Sequence, residues 1–222
     1  MNWGNFYGEI FETIPAVLAG LDGEIWLLLI VVFVLSNLIK NPRFIGFLGE
    51  SGVRKRLSKL DPKHYTVLHN VLLDKQGDLT QIDHIVVSIH GVLVIETKAY
   101  KGWIFGSEKG RTWTQTIYKK KSTFQNPLRQ NYKHLKSLEV VVGIPMRSML
   151  SVVVFTGDCT FKTDLPPNVM KRRSLLKYIR SLRDEVLRPE DVAELARRIK
   201  AADCSMDKKK RRAHLNQVRK AG

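Results

Sequence analysis

Cysteine is scarce in this sequence, and nothing around either cysteine suggests a metal site. The 222 residues include only Cys159 and Cys204, which are far apart and have no second Cys or His at ligand spacing. We therefore expect neither a disulfide framework nor a zinc site. The sequence also lacks an internal repeat, a glycine-rich phosphate loop and a Ser/His/Asp arrangement. Repeat solenoids, P-loop nucleotide hydrolases and triad hydrolases are accordingly not indicated.

Lysine and arginine are missing from the first 39 residues, which carry four acidic side chains instead. The whole chain has a formal net charge of +16, so the part that follows those four acids carries +20. A field of that size attracts polyanions, and nucleic acid and the anionic surface of a membrane are the two main candidates. A basic surface that only keeps the protein soluble is the alternative.

One long uncharged run, IWLLLIVVFVLSNLI at 25–39, lies in this acidic N-terminal part. At about 1.5 Å per residue it covers roughly 22 Å, whereas the hydrocarbon core of a membrane is roughly 30 Å thick. Snorkelling of Glu24 and Lys40 would have to supply the difference. We predict a transmembrane helix at about 22–40, within an N-terminal segment 1–44. A buried core helix is the alternative.

The first basic residues follow this run, and no basic stretch precedes it. A cleaved signal peptide is therefore not expected. The positive-inside rule places the N-terminus outside the cell membrane and the rest of a single-pass protein in the cytoplasm.

A hairpin is predicted for QIDHIVVSIHGVLVIETK at 81–98, which alternates like a strand yet contains charged residues. With its turn at 89–90, facing residues have numbers that sum to 179. Asp83 then lies opposite Glu96, and Gln81 opposite Lys98. Because side chains alternate along a strand, these four would share one face. The same face continues with apolar residues, namely Ile85, Val87, Val92 and Val94.

Two carboxylates side by side repel each other unless a cation lies between them. Oxygen ligands of this kind suit Mg²⁺ or Mn²⁺, which bind a carboxylate pair, waters and phosphate oxygens. Lys98 would point into the same site and could stabilise charge that develops on a phosphate. A surface salt bridge between Asp83 and Lys98 is the simpler alternative.

Further elements frame this hairpin. A helix is predicted where Val53 and Leu57 recur at helical spacing, and Glu50 falls on their face. Another helix is predicted after Asn126 as N-cap and Pro127, with a last core strand at 148–157. Trp103, Trp113 and Tyr118 stand among basic residues, a pattern of nucleic-acid binding or of ordinary packing. Residues 161–222 read as a basic helical C-terminal extension, after a domain at 45–160.

Four motifs occur in order along the chain: GESG at 49–52, TQIDHIVVS at 80–88, GVLVIETKAYKGWIFG at 91–106 and FQNPLRQN at 124–131. In them the sequence resembles the nuclease-related domain (NERD) family, over roughly residues 46–157. Ile82 precedes Asp83 where the broader PD-(D/E)xK nuclease motif has proline, and Val53 stands where many members have a second Glu.

The resemblance implies an α/β fold with a restriction-endonuclease-like mixed β-sheet core flanked by helices. It implies that Asp83 and Glu96 bind a metal, that Lys98 is the catalytic lysine, and that Glu50 and Gln130 complete the site. Mg²⁺ or Mn²⁺ would be the cofactor and DNA or RNA the partner. We therefore expect a membrane-anchored, metal-dependent nuclease that hydrolyses phosphodiester bonds on the cytoplasmic side. The alternative is a non-catalytic membrane protein that binds nucleic acid or a partner protein on a nuclease-like fold.

Overall fold

The structure is a computed structural model that describes residues 22–221. The chain divides into two compact units, Met1–Ile45 and Gly46–Gly222. The helices are α1 Gly23–Lys40, α2 Pro42–Leu57, α3 Pro127–Val142, α4 Leu175–Ser181, α5 Pro189–Ala202 and α6 Lys208–Ala221. The strands are β1 Thr66–Lys75, β2 Asp78–Ser88, β3 Gly91–Lys98, β4 Gly102–Phe105, β5 Thr112–Ile117, β6 Lys120–Gln125, β7 Met149–Phe155, β8 Cys159–Phe161 and β9 Val169–Lys171.

The strands form two mixed sheets. The first has the order β1-β2-β3-β7-β9, in which β1, β2 and β3 are antiparallel neighbours and β7 and β9 are parallel to β3. The second has the order β6-β5-β4-β8, with β8 parallel to β4. Mixed sheets flanked by helices confirm the predicted α/β class, and this arrangement fits a nuclease-like core.

Helices cover both faces of the first sheet. On one face, Leu138 of α3 and Ile199 of α5 pack with strand residues such as Ile85 and Val94. On the other face, Leu57 of α2 and Ile179 of α4 pack with a second set of strand residues. Each fully buried side chain of this size contributes about 1.5–3 kcal/mol. The parallel strands need this arrangement because both of their faces are removed from water.

The C-terminal third contributes more than the helical extension expected from the sequence. Its strand β9 pairs with β7 and extends the first sheet, and Met170 of β9 is buried. Helices α4 and α5 supply core residues on opposite faces of that sheet. Short apolar stretches beside basic residues gave no strand signal, because β9 has only three residues.

The predicted single transmembrane helix at about 22–40 is not supported by the structure. Helix α1 has 18 residues, which corresponds to about 27 Å. Within residues 22–221 no single helix is both long and apolar enough to cross a membrane. Helix α1 satisfies length and composition only when it is combined with α2 across a bend.

The predicted hairpin register is correct for its inner half. Ile85 pairs with Val94 and Val87 pairs with Val92, and the antiparallel ladder ends at His84 and Ile95. Beyond that pair the Asp83 carboxylate takes the place of a backbone acceptor, because its Oδ2 accepts the Thr97 N–H at 2.8 Å. The β2–β3 ladder does not reach Gln81 and Lys98, so the predicted pairing of these two residues is wrong. On the other side of β2, Gln81 pairs with Leu72 of β1 and is exposed.

The hairpin also exchanges its two faces at this point. Ile82 and Ile85 lie in the same core cluster, although residues three apart in a regular strand point to opposite sides. The neighbouring strand shows the same change, since Leu68 and Val71 also share that cluster. Between them Asn70 has a φ of 55°, in the left-handed region that Asn tolerates better than most residues. The register of β1 and β2 places Asn70 opposite Asp83, so the two faces of the hairpin exchange at the position of Asp83.

Candidate active site

The GESG motif brings the middle of helix α2 close to the ends of the central strands. Gly49 is buried, and a Cβ there would lie 2.5 Å from Thr156 Oγ1 and 3.2 Å from Ala99 Cβ. Only glycine allows the helix to approach the chain at the ends of β3 and β7 so closely. Glu50, the next residue, is thereby held next to the acidic end of β3.

Three of the predicted residues are directly linked. Lys98 Nζ lies 2.8 Å from Glu96 Oε1 and donates a hydrogen bond to Gln130 Oε1 at 2.8 Å. Glu96 is 3% exposed, so this ion pair is largely removed from water. Gln130 comes from helix α3, whose N-terminus is capped by the Asn126 side chain accepting from the Leu128 N–H. The predicted cap and the predicted first-turn proline are both confirmed.

Glu96 has a second partner that the sequence reading missed. His134 Nε2 lies 3.1 Å from Glu96 Oε2, and His134 Nδ1 lies 2.9 Å from Thr80 Oγ1. Because the ionised Glu96 carboxylate can only accept a hydrogen bond, His134 Nε2 must be the donor and carry a proton. The signal was present, because His134 follows Gln130 by four residues and so lies on the same side of helix α3.

The acids of the site perturb one another. Burial raises the pKa of Asp83 well above its ordinary value, and the negative charge of Glu96 raises that pKa further, with a smaller increase from Glu50. Burial also raises the pKa of Glu50, again with a contribution from Glu96. The Thr97 N–H and the Lys98 charge oppose the shift at Asp83 but do not cancel it.

Glu96 differs from the other two acids. Burial would raise its pKa, but the hydrogen bond from His134 and the charge of Lys98 lower the pKa below its ordinary value. Burial likewise would lower the pKa of Lys98, yet the attraction of Glu96 raises it. Glu96 and Lys98 therefore form a charged pair, whereas the surroundings of Asp83 disfavour its charged form.

The donor set suits a divalent cation in kind but not in its present geometry. Asp83, Glu96 and Glu50 offer carboxylate oxygens only, the ligands that Mg²⁺ and Mn²⁺ prefer. Their mutual repulsion is what a cation between them would relieve. However, no group of three or more His, Cys, Asp or Glu side chains in the described part of the chain is arranged to hold a metal. Both Glu96 oxygens already have partners, in Lys98 and His134.

Asn131 connects helix α3 to the two strands that carry the site. It is fully buried on helix α3, and its Nδ2 lies within 2.8–3.2 Å of the Val94 carbonyl, Ser151 Oγ and the Val152 carbonyl. These contacts attach α3 to β3 and β7, the two strands that carry the site. The amide therefore fixes the helix that holds Gln130.

Comparisons with known proteins agree with this picture. The family model described as nuclease-related domain (NERD) matches residues 45–156. An uncharacterized protein of Bacillus anthracis is 41% identical over 196 residues, which cover 85% of this chain and 92% of that protein. No solved structure matches the chain. The matched range contains both strands of the hairpin, the GESG helix and Gln130. The chain therefore belongs to the nuclease-related domain family.

Proposed function

We propose that the chain is a metal-dependent nuclease that hydrolyses phosphodiester bonds of DNA or RNA. The observation that carries this proposal is the meeting of Asp83, Glu96 and Glu50 with Lys98 and Gln130 at the ends of the central strands. Membership of a nuclease-related family and a net charge of +16 support a nucleic acid as the substrate.

In this proposal Asp83 and Glu96 hold Mg²⁺ or Mn²⁺, with Glu50 as a further ligand. The ion, when bound, would polarise the scissile phosphate and lower the pKa of a coordinated water. For Glu96 to offer Oε1 to the ion, Lys98 Nζ would have to leave that oxygen, and its hydrogen bond to Gln130 Oε1 would keep Nζ within the site. Lys98 then orients the attacking water and stabilises the charge on the phosphate, while His134 retains the second Glu96 oxygen.

The test uses the purified full-length chain in detergent with labelled DNA and RNA and either Mg²⁺ or Mn²⁺. We expect cleavage that EDTA abolishes, and loss of cleavage in Asp83→Ala. Asp164→Ala is the matched control, because Asp164 is exposed and lies outside the site. A wild-type chain that binds nucleic acid tightly but cuts none of it would refute the catalytic proposal.

One observation favours the alternative, a non-catalytic binding protein on the same fold. The ammonium of Lys98 lies 2.8 Å from Glu96 Oε1, in a position to neutralise the acid that would bind metal. Calorimetric titration with Mg²⁺ or Mn²⁺ separates the two proposals. Heat of binding that disappears in Asp83→Ala supports the nuclease, and its absence in the wild-type chain supports the binding protein.

We further propose that the N-terminal unit attaches the protein to the cell membrane, with the N-terminus outside and the nuclease-like part in the cytoplasm. Support comes from helix α1, in which apolar side chains on all sides are exposed, for example Leu27 at 64% and Phe33 at 69%. Cell fractionation with a salt wash and then detergent tests the attachment. Release by salt alone would contradict an apolar anchor, and protease digestion of intact cells would test the orientation.

A further inference from the structure

The second sheet carries aromatic side chains that packing does not use. Trp113 is 1% exposed and stacks on Phe155 of the first sheet, so it belongs to the core between the sheets. Trp103 is 51% exposed and Tyr118 is 97% exposed, although both come from the same small sheet and its turn. Of the three aromatic residues noted among the basic residues, one is structural and two are free to contact a ligand.

Tyr118 also has a backbone conformation that does not suit tyrosine. Ile117 pairs with Lys120, so Tyr118 and Lys119 form the two-residue turn between β5 and β6. The φ of Tyr118 is 53°, in the left-handed region where Gly, Asn and Asp are favoured and a bulky residue is uncommon. Neither packing nor turn geometry explains an aromatic ring here. Strain of this kind points to a use for the side chain.

Trp103 and Tyr118 line one cavity of about 540 Å³, a size typical of small-ligand sites. Lys101 and Asp158 add one charge of each sign to its lining. Gly102 also lines the cavity. Its φ is 79°, and a Cβ there would lie 2.5 Å from the Thr116 carbonyl oxygen. The cavity therefore offers two rings, bare backbone, a cation and a carboxylate that can accept from an exocyclic amino group.

The stretch of chain that supplies most of the cavity lining is basic. Residues 99–125 contain six basic side chains and a single acidic one, Glu108. The basic ones are Lys101, Lys109, Arg111, Lys119, Lys120 and Lys121. Lys162 Nζ lies 4.5 Å from the centroid of the Trp103 ring, which places a further cation beside the aromatic surface. Rings interleaved with cations are the surface that binds single-stranded nucleic acid.

The cavity follows the candidate active site directly along the chain. Lys98 ends strand β3, and Trp103 is five residues later, which limits their separation to about 18 Å. Lys98 O accepts from the Thr156 N–H, and Asp158 O accepts from the Gly102 N–H. The segments that leave β3 and β7 thus run side by side from the site to the cavity.

We propose that this cavity binds an unpaired base of a single-stranded nucleic acid, with the rings of Trp103 and Tyr118 as its stacking surfaces. The chain would then prefer single strands to duplexes, because paired bases cannot enter the cavity and a duplex offers only its phosphates to the basic surface. The inference rests on the proposed function for its substrate class, but it concerns binding and does not require cleavage.

The test measures fluorescence anisotropy of the full-length chain in detergent and EDTA, with labelled single-stranded DNA or RNA and a duplex of equal length. We expect the single strands to bind more tightly. Trp103→Ala should weaken single-strand binding about fivefold or more and leave duplex binding unchanged. Trp103→Phe should retain most of the affinity, since it keeps a ring.

Tyr118→Asn gives a variant in which folding is protected, because Asn tolerates the left-handed turn. It should lose single-strand affinity as Trp103→Ala does, and Tyr118→Phe should not. Tyr132→Ala is the matched control, an exposed tyrosine of helix α3 outside the cavity. Equal affinity for single strands and duplexes, or equal losses for both in the two ring-removing variants, would overturn the proposal.

The outcomes for binding and cleavage are separable. Ring-dependent preference for single strands in a chain that cuts nothing would support the cavity and refute the proposed hydrolysis. Cleavage by a chain whose single-strand affinity does not depend on Trp103 or Tyr118 would support hydrolysis and refute base binding in the cavity.

Discussion

Replacing Glu96 with glutamine removes the charge that Lys98 Nζ and His134 Nε2 share. The Glu96 side chain is almost fully buried and that of Lys98 is 18% exposed, so the pair lies largely out of water. Breaking one member of such a pair costs about 3–5 kcal/mol, and the lower value applies here because Gln130 still accepts from Nζ. For a domain of this size we expect the unfolding temperature to fall by about 6–12 °C.

The matched change at Asp83 should act in the opposite direction. Burial and the charge of Glu96 raise the pKa of Asp83, so its ionised form destabilises the fold at neutral pH. Asp83→Asn removes that charge and keeps a carbonyl oxygen to accept the Thr97 N–H. Without added metal, we expect Asp83→Asn to unfold at or above the wild-type temperature. Both variants should nevertheless lose cleavage.

The pH dependence follows from the same two groups. The pKa of Glu96 is lowered, so its contribution to stability is present above its ordinary value of 4.5 and is lost as the pH falls through the folded-state pKa. The pKa of Asp83 is raised, so stability falls as the pH rises from its ordinary value of 3.8 through the folded-state pKa. Asp83→Asn should remove the second dependence. Glu96→Gln should remove the first and weaken the second, because the charge of Glu96 raises the pKa of Asp83.

The assay is thermal unfolding of the full-length chain in EDTA, followed by circular dichroism across the pH range. Asp164→Asn serves as a control for the loss of one exposed acid and should unfold at the same temperature as the wild-type chain. The reasoning would be refuted if Glu96→Gln unfolded at the wild-type temperature. It would also be refuted if Asp83→Asn were the less stable of the two variants.

Three further predictions concern the residues around this pair. Gly49→Ala should destabilise the fold by about 1–3 kcal/mol in denaturant titrations and reduce cleavage, because its Cβ would meet Thr156 Oγ1. Adding Thr156→Ala should recover part of both, and no recovery would contradict the contact. Gln130→Ala should reduce cleavage about 10- to 100-fold with little change in stability, because the Gln130 side chain only positions Lys98 Nζ. An equal loss of substrate binding would argue against this positioning role. Asn131→Leu should destabilise by about 1–3 kcal/mol or more, because buried carbonyl groups lose their donor, and an unchanged denaturation midpoint would disprove this.

The sequence predicted the elements and the family well because its signals there are local. Alternation along the hairpin, Asn126 with Pro127 at the start of one helix, and the helical spacing of Val53 and Leu57 in another are each readable within a few residues. The inner hairpin register followed from the turn, and it is correct from Ser88 to His84. The hairpin pattern itself singled out Asp83, Glu96 and Lys98, and the family motifs then implied their roles, which remain predictions.

What the sequence could not supply depends on contacts between distant segments. A regular ladder would place Gln81 opposite Lys98. The Asp83 side chain interrupts that ladder, because its Oδ2 accepts the Thr97 N–H. The parallel partner of Lys98 is Phe155, which is more than fifty residues away in the chain. Of the two partners of Glu96, Lys98 lies two residues away on the same strand and follows from alternation, whereas His134 comes from helix α3 and only the fold brings it to Glu96.

The left-handed residue at position 70 has a consequence for how much of the hairpin can vary. With ordinary alternation, Leu73 and Ile82 would turn to the opposite face of the sheet, and the core beneath α3 would lose both side chains. A β-branched side chain at Asn70 favours that ordinary alternation, since it resists a positive φ. The backbone conformation of Asn70 thus determines which residues of the β1–β2 hairpin face the core and also the direction of the neighbouring Asp83 side chain. Neither can be changed without the other.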